Sequence, residues 1–129
     1  LQRRVGADHL CIAPRTVCVG AKGELFLGDF LGKAHVLRRL EGGGSGPQAS
    51  VSDARWLMWY PAEMQAHRAA EAAKRPDVDL RRVDSWQLGV VAFYLLAGCH
   101  PFGDCRADPS GVCRNIQSGS PVNLGRLAR

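Results

Sequence analysis

The stretch DSWQLGVVAFYLLAG at positions 84–98 is the most apolar part of the chain, and it predicts the central element of the fold. Residues 85–97 are apolar almost all round, which predicts a helix that protein surrounds on every side. Asp84 is a favourable N-cap, Gly98 stands where such a helix would end, and Pro101 prevents its continuation. The apolar run is shorter than the roughly 20 residues of a membrane span, so a buried helix is predicted instead.

On the N-terminal side, the sequence predicts a small β-hairpin. Residues 10–19 are rich in apolar and β-branched side chains, and a glycine-bearing turn at 20–23 separates them from the apolar residues 25–27. Residues 41–53 contain Gly, Ser, Pro, Gln and Ala, a composition that predicts a flexible surface loop. Serines on this loop, Ser45, Ser50 and Ser52, are either phosphorylation sites or solubilising linker residues.

Further helices are predicted on both sides of the central one. Residues 61–74 are rich in alanine and predict a short helix closed by Pro76. Asp108 and Pro109 predict the start of a last helix over 109–117. Residues 118–129 are predicted to be a polar tail that two leucines, Leu124 and Leu127, anchor to the body of the protein. The predicted fold class is therefore mainly α, with a small hairpin and a buried central helix.

Composition excludes several classes of protein. The chain has 129 residues, a net charge of +5 and 46% hydrophobic residues, which suits one soluble compact domain. The excess positive charge is spread along the chain, so no DNA-binding stripe is indicated. Five cysteines form no CxxC pair, which argues against a zinc site and favours a reducing compartment. His9 and His100 lack a partner at metal-binding spacing and are interpreted as structural. The chain begins without Met or a signal segment and is interpreted as an excised stretch of a longer protein.

Four segments, in order, resemble motifs of the eukaryotic protein kinases. HLCIAPRTVCV at 9–19 is similar to a degraded catalytic loop, and Asp29-Phe30 resembles the start of the metal-binding Asp-Phe-Gly motif. WYPAEM at 59–64 is similar to the Trp-x-Ala-Pro-Glu-Met that closes an activation segment, here 29–63, with Pro and Ala transposed. DLRRVDSWQLGVV at 79–91 resembles the Asp-x-Trp-Ser-Leu-Gly-Val pattern of the family.

The resemblance implies that the whole chain, 1–129, is part of a kinase-like domain, namely its C-terminal lobe. Its central helix would cover 84–98. The motif HPFGD at 100–104 is most similar to the inositol-requiring sensor kinases of the unfolded-protein response, which carry a fused endoribonuclease.

The resemblance also implies that catalysis is impaired. Cys11 stands at the position of the catalytic Asp, and a thiol with a reference pKa of about 8.5 is mostly neutral at pH 7. Ala13 replaces the lysine that contacts phosphate. Thr16 replaces the asparagine that helps to bind the second Mg²⁺, and one hydroxyl is a poorer ligand. These losses predict a pseudokinase.

Asp29 matches the Mg²⁺-binding aspartate of the family, so it is either a remaining ligand for Mg-ATP or simply a turn residue after the second strand. Leu31 replaces the glycine of that motif, which puts its switching behaviour in doubt. Four further residues match structural positions of kinases: His9, Glu63, Asp84 and Trp86. In kinases the residue at Asp84 receives hydrogen bonds from the catalytic-loop main chain, so Asp84 is expected to lie close to His9.

The predicted function is a pseudokinase that acts as a binding or dimerisation module in a stress-sensor-like protein. Mg-ATP binding is expected to be weak or absent. The expected partners are other proteins or a second copy of the chain, and RNA is expected to bind only if a nuclease domain follows downstream. The expected location is cytoplasmic, and the resemblance implies a second option, the cytosolic part of an endoplasmic-reticulum membrane protein. Two alternatives stay open: an active Ser/Thr kinase with an atypical catalytic loop, in which Asp29 carries Mg²⁺, and a helical interaction domain unrelated to kinases.

Overall fold

The computed structural model describes residues 8–29, 31–41 and 51–128. The described residues do not include Phe30 of the kinase-like motif. They also do not include residues 42–50 of the predicted loop, which contain Ser45 and Ser50, and nothing is described of the Ser52 side chain. The elements are β1 (Val17–Val19), β2 (Leu25–Leu27), α1 (Gly32–Glu41), α2 (Val51–Leu57), α3 (Ala62–Ala69), α4 (Leu80–Ala97) and α5 (Pro109–Gln117), with 3₁₀ turns at Pro14–Thr16, Ala72–Lys74 and Leu124–Ala128.

The hairpin is present but shorter than predicted. Strands β1 and β2 pair antiparallel, with Val17 opposite Leu27 and Val19 opposite Leu25. Gly23 closes the turn with φ of +81°, a conformation that glycine adopts without strain. The prediction of a strand over 10–16 is wrong, because main-chain N–H groups in that segment bond to side chains of α4 and not to a neighbouring strand.

The central helix begins four residues earlier than predicted, at Leu80. Its N-cap is Asp79, whose carboxylate accepts a hydrogen bond from the Arg81 N–H at 3.1 Å. Asp84 therefore lies inside the helix, and its prediction as N-cap is wrong. The end of the helix agrees with the sequence, since Gly98 adopts the left-handed conformation that ends helices, with φ of +71°.

The expectation that α4 is buried on every side is also wrong. Val83, Val90 and Val91 are buried, but Leu95 and Leu96 on the other side are 62% and 78% exposed. An all-round apolar composition indicates which side chains could be buried, and packing decides which of them are. Within the described residues, no helix is long and apolar enough to cross a membrane.

The remaining elements agree in part with the sequence. Helix α5 has the predicted bounds, with Asp108 accepting a hydrogen bond from the Gly111 N–H at 2.8 Å. The helix predicted over 61–74 ends at Ala69 and is followed by the separate 3₁₀ turn. Helix α2 begins inside the predicted loop, and α1 was not predicted at all. The two predicted anchors of the tail are wrong, since Leu124 and Leu127 are more than half exposed.

One hydrophobic core joins the loop before β1 to the helices. Helix α1 contributes Val36 and Leu40 to this core, and the beginning of α4 contributes Val83. The other members come from the 10–13 loop and helices α2, α3, α4 and α5 with their flanking turns: Leu10, Cys11, Ala13, Ala54, Leu57, Met58, Trp59, Tyr60, Met64, Val90, Val112, Cys113 and Ile116. The 10–13 loop is thus a structural part of the molecule.

Candidate functional site

The candidate site is the loop at 9–16, whose main chain is held by Asp84. The two carboxylate oxygens of this buried side chain accept hydrogen bonds from the N–H groups of His9 and Leu10, each at 2.7 Å. The contact expected between Asp84 and the His9 segment is therefore present. Because hydrogen bonds to a charged acceptor are stronger than neutral ones, this pair fixes the start of the loop on α4.

Two further side chains, Gln87 and Tyr60, extend this attachment along the loop. Gln87 follows Asp84 by three positions on α4, so both lie on the same side of the helix, and its amide oxygen accepts the Ile12 N–H at 3.0 Å. The Tyr60 hydroxyl donates to the Leu10 carbonyl at 2.6 Å. The sequence reasoning missed both residues. A buried amide inside an apolar helix needs a partner, and that requirement was an available signal for Gln87.

Leu10 has an unusual backbone conformation at the centre of these contacts. Its φ is +61°, in the left-handed region that costs a branched residue about 1–3 kcal/mol. Its side chain is completely buried, and its N–H and carbonyl are bonded to Asp84 and Tyr60 respectively. The surrounding contacts thus hold this residue in a conformation that it would not adopt alone.

Cys11, at the position of the catalytic aspartate, is a poor acid–base group. Its side chain is buried, and burial raises the pKa of the thiol, an effect to which the negative charge of Asp29 adds. The contact with the Tyr60 hydroxyl lowers the pKa in part. The thiol is accordingly neutral at pH 7 and cannot accept a proton as a carboxylate does.

The hydroxyl of Thr16 is already occupied within the loop. It lies 2.7 Å from the Cys11 carbonyl and 2.9 Å from the Ala13 carbonyl, and it accepts the Ala13 N–H at 3.0 Å. The side chain is buried. A hydroxyl engaged in this way holds the turn Pro14–Thr16 together and is not oriented toward a ligand.

Asp29 lies beside Cys11, at the start of α1. A Cβ atom built on Gly32 would lie 2.6 Å from both the Asp29 carboxylate and the Cys11 sulfur, so these two side chains are neighbours. A side chain at position 32 would require the Asp29 carboxylate and the Cys11 sulfur to shift. Asp29 itself is exposed and has a φ of +60°, while the His9 ring lies 2.9 Å from the preceding Gly28 carbonyl.

These residues fit Mg-ATP poorly. Mg²⁺ takes oxygen ligands, and the candidate positions offer one exposed carboxylate, Asp29, next to a neutral thiol and a satisfied hydroxyl. Among the residues that the structure describes, no three His, Cys, Asp or Glu side chains form a group that could hold a metal ion.

Two further predicted structural residues, Trp86 and Glu63, line a cavity of about 690 Å³ at the beginning of α4. Trp86 is half-buried there and stacks on Phe102 with 5.7 Å between ring centroids, as expected for a residue that packs against the core. Glu63 lies on the first turn of α3 at the rim of the same cavity, and its side chain is exposed. Neither residue contributes to the 9–16 loop.

The rings of both histidines contact main-chain carbonyls. His100 is fully buried and its Nε2 lies 3.0 Å from the Met58 carbonyl. Burial lowers the pKa of His100 to about 4, so the ring is neutral at physiological pH. His9 bridges two parts of the candidate site, through its main chain to Asp84 and through its ring to Gly28.

Comparison with known proteins supports a relation to kinases. The chain is 29% identical over 99 residues to CBL-interacting serine/threonine-protein kinase 5 of Arabidopsis thaliana. This match covers 77% of the chain but 19% of that protein. No protein-family model matches the chain, and no solved structure matches it. The chain is thus kinase-like in sequence and mainly helical with a two-stranded hairpin.

Proposed function

We propose that this chain is a kinase-like module without phosphoryl-transfer activity that acts by binding a protein partner or a second copy of itself. The state of the 9–16 loop is the observation that carries the proposal. Its main chain is held by Asp84, while Cys11 offers a buried neutral thiol and Thr16 a hydroxyl that is already bonded. The loop therefore has a fixed shape without the charged groups that the reaction requires.

The size of the chemical loss supports this proposal. Phosphoryl transfer depends on positioning and on neutralising phosphate charge, and a general base typically contributes about 10²–10⁴-fold. Replacing a carboxylate by Cys11 removes that contribution, and replacing a lysine by Ala13 removes a positive charge. The two losses affect the same loop, so the remaining carboxylate of Asp29 would act without either of them.

Exposed apolar side chains support a binding role. Leu95 and Leu96 are exposed at the end of α4, which packs against the 3₁₀ turn that carries the exposed Leu124 and Leu127. Leu95 and Leu96 are consecutive in the chain, and adjacent exposed apolar side chains are typical of protein interaction surfaces. Another protein, or a second copy of the chain, would bury them.

Residues 100–104 resemble those of unfolded-protein-response sensors. We therefore propose that the module belongs to a stress-sensor-like protein in the cytoplasm. The similarity to a plant serine/threonine kinase favours a kinase-like origin over an unrelated helical interaction domain.

The rival proposal is an active kinase in which the exposed Asp29 carries Mg²⁺. A phosphoryl-transfer assay with Mg-ATP and a generic Ser/Thr substrate distinguishes the two, using the native chain, Asp29→Ala and Cys11→Asp. We expect the native chain to transfer no more phosphate than Asp29→Ala does. Robust transfer by the native chain that disappears in Asp29→Ala would overturn the proposal.

The binding role is tested by sedimentation velocity over a range of concentrations. Self-association is expected to weaken in the variant Leu96→Lys, which places a charge on the exposed side of α4, and to persist in Arg82→Lys, a charge-conserving control near the other end. A native chain that stays monomeric at every concentration would exclude the second copy as the partner.

A further inference from the structure

Two half-buried cysteines, Cys99 and Cys105, line one cavity of about 500 Å³ beside the end of α4. They flank a tight turn in which the Gly103 N–H donates to the His100 carbonyl at 3.3 Å. Burial raises the pKa of the Cys105 thiol, and negative charge on Asp104 and Cys99 adds to the increase, so the two sulfurs interact electrostatically.

The turn between the two cysteines is held firmly. The buried ring of His100 bonds to the Met58 carbonyl at 3.0 Å, and the Asn123 side chain donates to the His100 carbonyl at 2.8 Å. On the other side of the turn, the Asp104 carboxylate accepts the Arg106 N–H at 2.9 Å. Residues on both sides of the turn are thus fixed by contacts outside it, which keeps the two thiols at the same cavity.

We propose that Cys99 and Cys105 form a reversible intramolecular disulfide when the protein meets a hydroperoxide. The Cys99 thiolate attacks one peroxide oxygen, so that an S–O bond forms, the O–O bond breaks and the leaving hydroxide takes a proton to become water. The Cys105 thiolate then attacks the sulfenic sulfur, forming the S–S bond and releasing a second water after protonation. Two thiols are oxidised by two electrons and one hydroperoxide is reduced.

Burial and the negative charge of Asp104 raise the pKa of the Cys105 thiol, which disfavours Cys105 as the first attacking group, and the shared cavity places it beside the sulfenic acid on Cys99. In a reducing compartment, thiol exchange would reopen such a bond, which makes it a reversible modification.

The other three cysteines provide internal controls. Cys11 and Cys113 are buried, and burial raises the pKa of Cys113 to about 11. Cys18 is exposed on β1, on the opposite strand from Phe26, and does not line the cavity. Oxidation of an exposed single thiol would give a disulfide between two chains, which is easily told apart from one within the chain.

The experiment uses the complete reduced chain and hydrogen peroxide. After alkylation and tryptic digestion without reductant, residues 83–106 form one peptide that contains both cysteines, because Arg82 and Arg106 are the flanking cleavage sites. We expect this peptide to escape alkylation and to lose the mass of two hydrogen atoms, and to return to the doubly alkylated form after reduction. The number of free thiols is expected to fall from five to three.

Three serine variants sharpen the result. Cys18→Ser is expected to keep the loss of two thiols, while Cys99→Ser abolishes it and Cys105→Ser leaves a sulfenic acid at Cys99 that dimedone labels. The proposal is overturned if peroxide leaves the native 83–106 peptide doubly alkylated, or oxidises either cysteine to a sulfinic acid without forming the bond. The peptide measurement on the native chain decides the outcome even where a variant does not fold.

Discussion

The main chain of the 9–16 loop is held by many hydrogen bonds, whereas the side chains of the same loop lack the charged groups of a catalytic loop. The main chain is fixed by Asp84, Gln87 and Tyr60, which bond to main-chain groups of His9, Leu10 and Ile12 over distances of 2.6–3.0 Å. The side chains at Cys11 and Ala13 carry no charge and are buried. The contrast teaches that the shape of this loop depends on contacts with the rest of the fold and not on the groups that would perform chemistry.

Two carboxylates show the same contrast at the level of single residues. Asp84 is 5% exposed and holds two main-chain N–H groups, whereas Asp29 is exposed and follows the hairpin. If the comparison is right, removing the charge of Asp84 lowers the free energy of unfolding, whereas removing the charge of Asp29 changes it little. The predictions below test this difference.

The largest effect is expected from Asp84→Asn. The amide replaces one acceptor oxygen by a donor that faces a main-chain N–H, so the free energy of unfolding is expected to fall by about 3 kcal/mol. Urea unfolding followed by circular dichroism measures the change. The matched control is Asp79→Asn, because asparagine is an equally good N-cap and the exposed ion pairs of Asp79 with Arg81 and Arg82 contribute little, so the change there is expected to stay below about 1 kcal/mol. Equal losses at the two positions would break the comparison.

The free energy of unfolding is expected to depend on pH through His100, a buried residue that follows the C-terminal end of α4. The folded pKa of about 4 lies below the reference value of 6.5, so the neutral ring stabilises the fold above pH 6.5 and this stability is lost as the pH falls toward 4. From pH 7.5 to pH 5 the free energy of unfolding should fall by about 2 kcal/mol through this group.

Urea unfolding at the two pH values measures the His100 effect, and variants separate it from other titrations. His100→Gln is expected to show a smaller pH dependence than the native chain. The control His35→Gln changes an exposed histidine on α1 and should keep the full dependence. The same pH dependence in all three proteins would contradict the assignment.

A smaller decrease in the free energy of unfolding is expected from Tyr60→Phe. This change removes the hydroxyl that donates to the Leu10 carbonyl at 2.6 Å and leaves that buried carbonyl without its partner, which costs about 1–2 kcal/mol. The comparison variant is Tyr94→Phe, whose ring packs against Trp59 and is retained in phenylalanine. Differential scanning calorimetry should show the lower midpoint for Tyr60→Phe, and a reversed order would mean that this hydroxyl is not part of the attachment.

The smallest effect is expected from Asp29→Asn. The side chain is exposed, and asparagine tolerates the left-handed backbone at this position as well as aspartate does, so the free energy of unfolding should change by less than about 0.5 kcal/mol. Urea unfolding in parallel with Asp84→Asn gives the direct comparison. A loss as large as that of Asp84→Asn would show that Asp29 also supports the fold.

The sequence predicted those features that depend on neighbouring residues. Helix α5 has its predicted bounds because Asp108, Pro109 and the following residues act within one helical turn. The end of α4 at Gly98 was predicted for the same reason. The start of α4 was predicted wrongly, because Asp84 stands next to the apolar run, whereas the helix continues through polar residues to its cap at Asp79.

What the amino-acid sequence determined by itself was the position of the central helix and the absence of charge at Cys11 and Ala13, because both are local properties of residue type. Tertiary structure alone decided that Gln87 and Tyr60 also hold the loop and that one side of the helix stays exposed. The bond from Ile12 to Gln87 joins residues 75 positions apart. Such a contact depends on how the whole chain packs, and no short stretch of sequence encodes it.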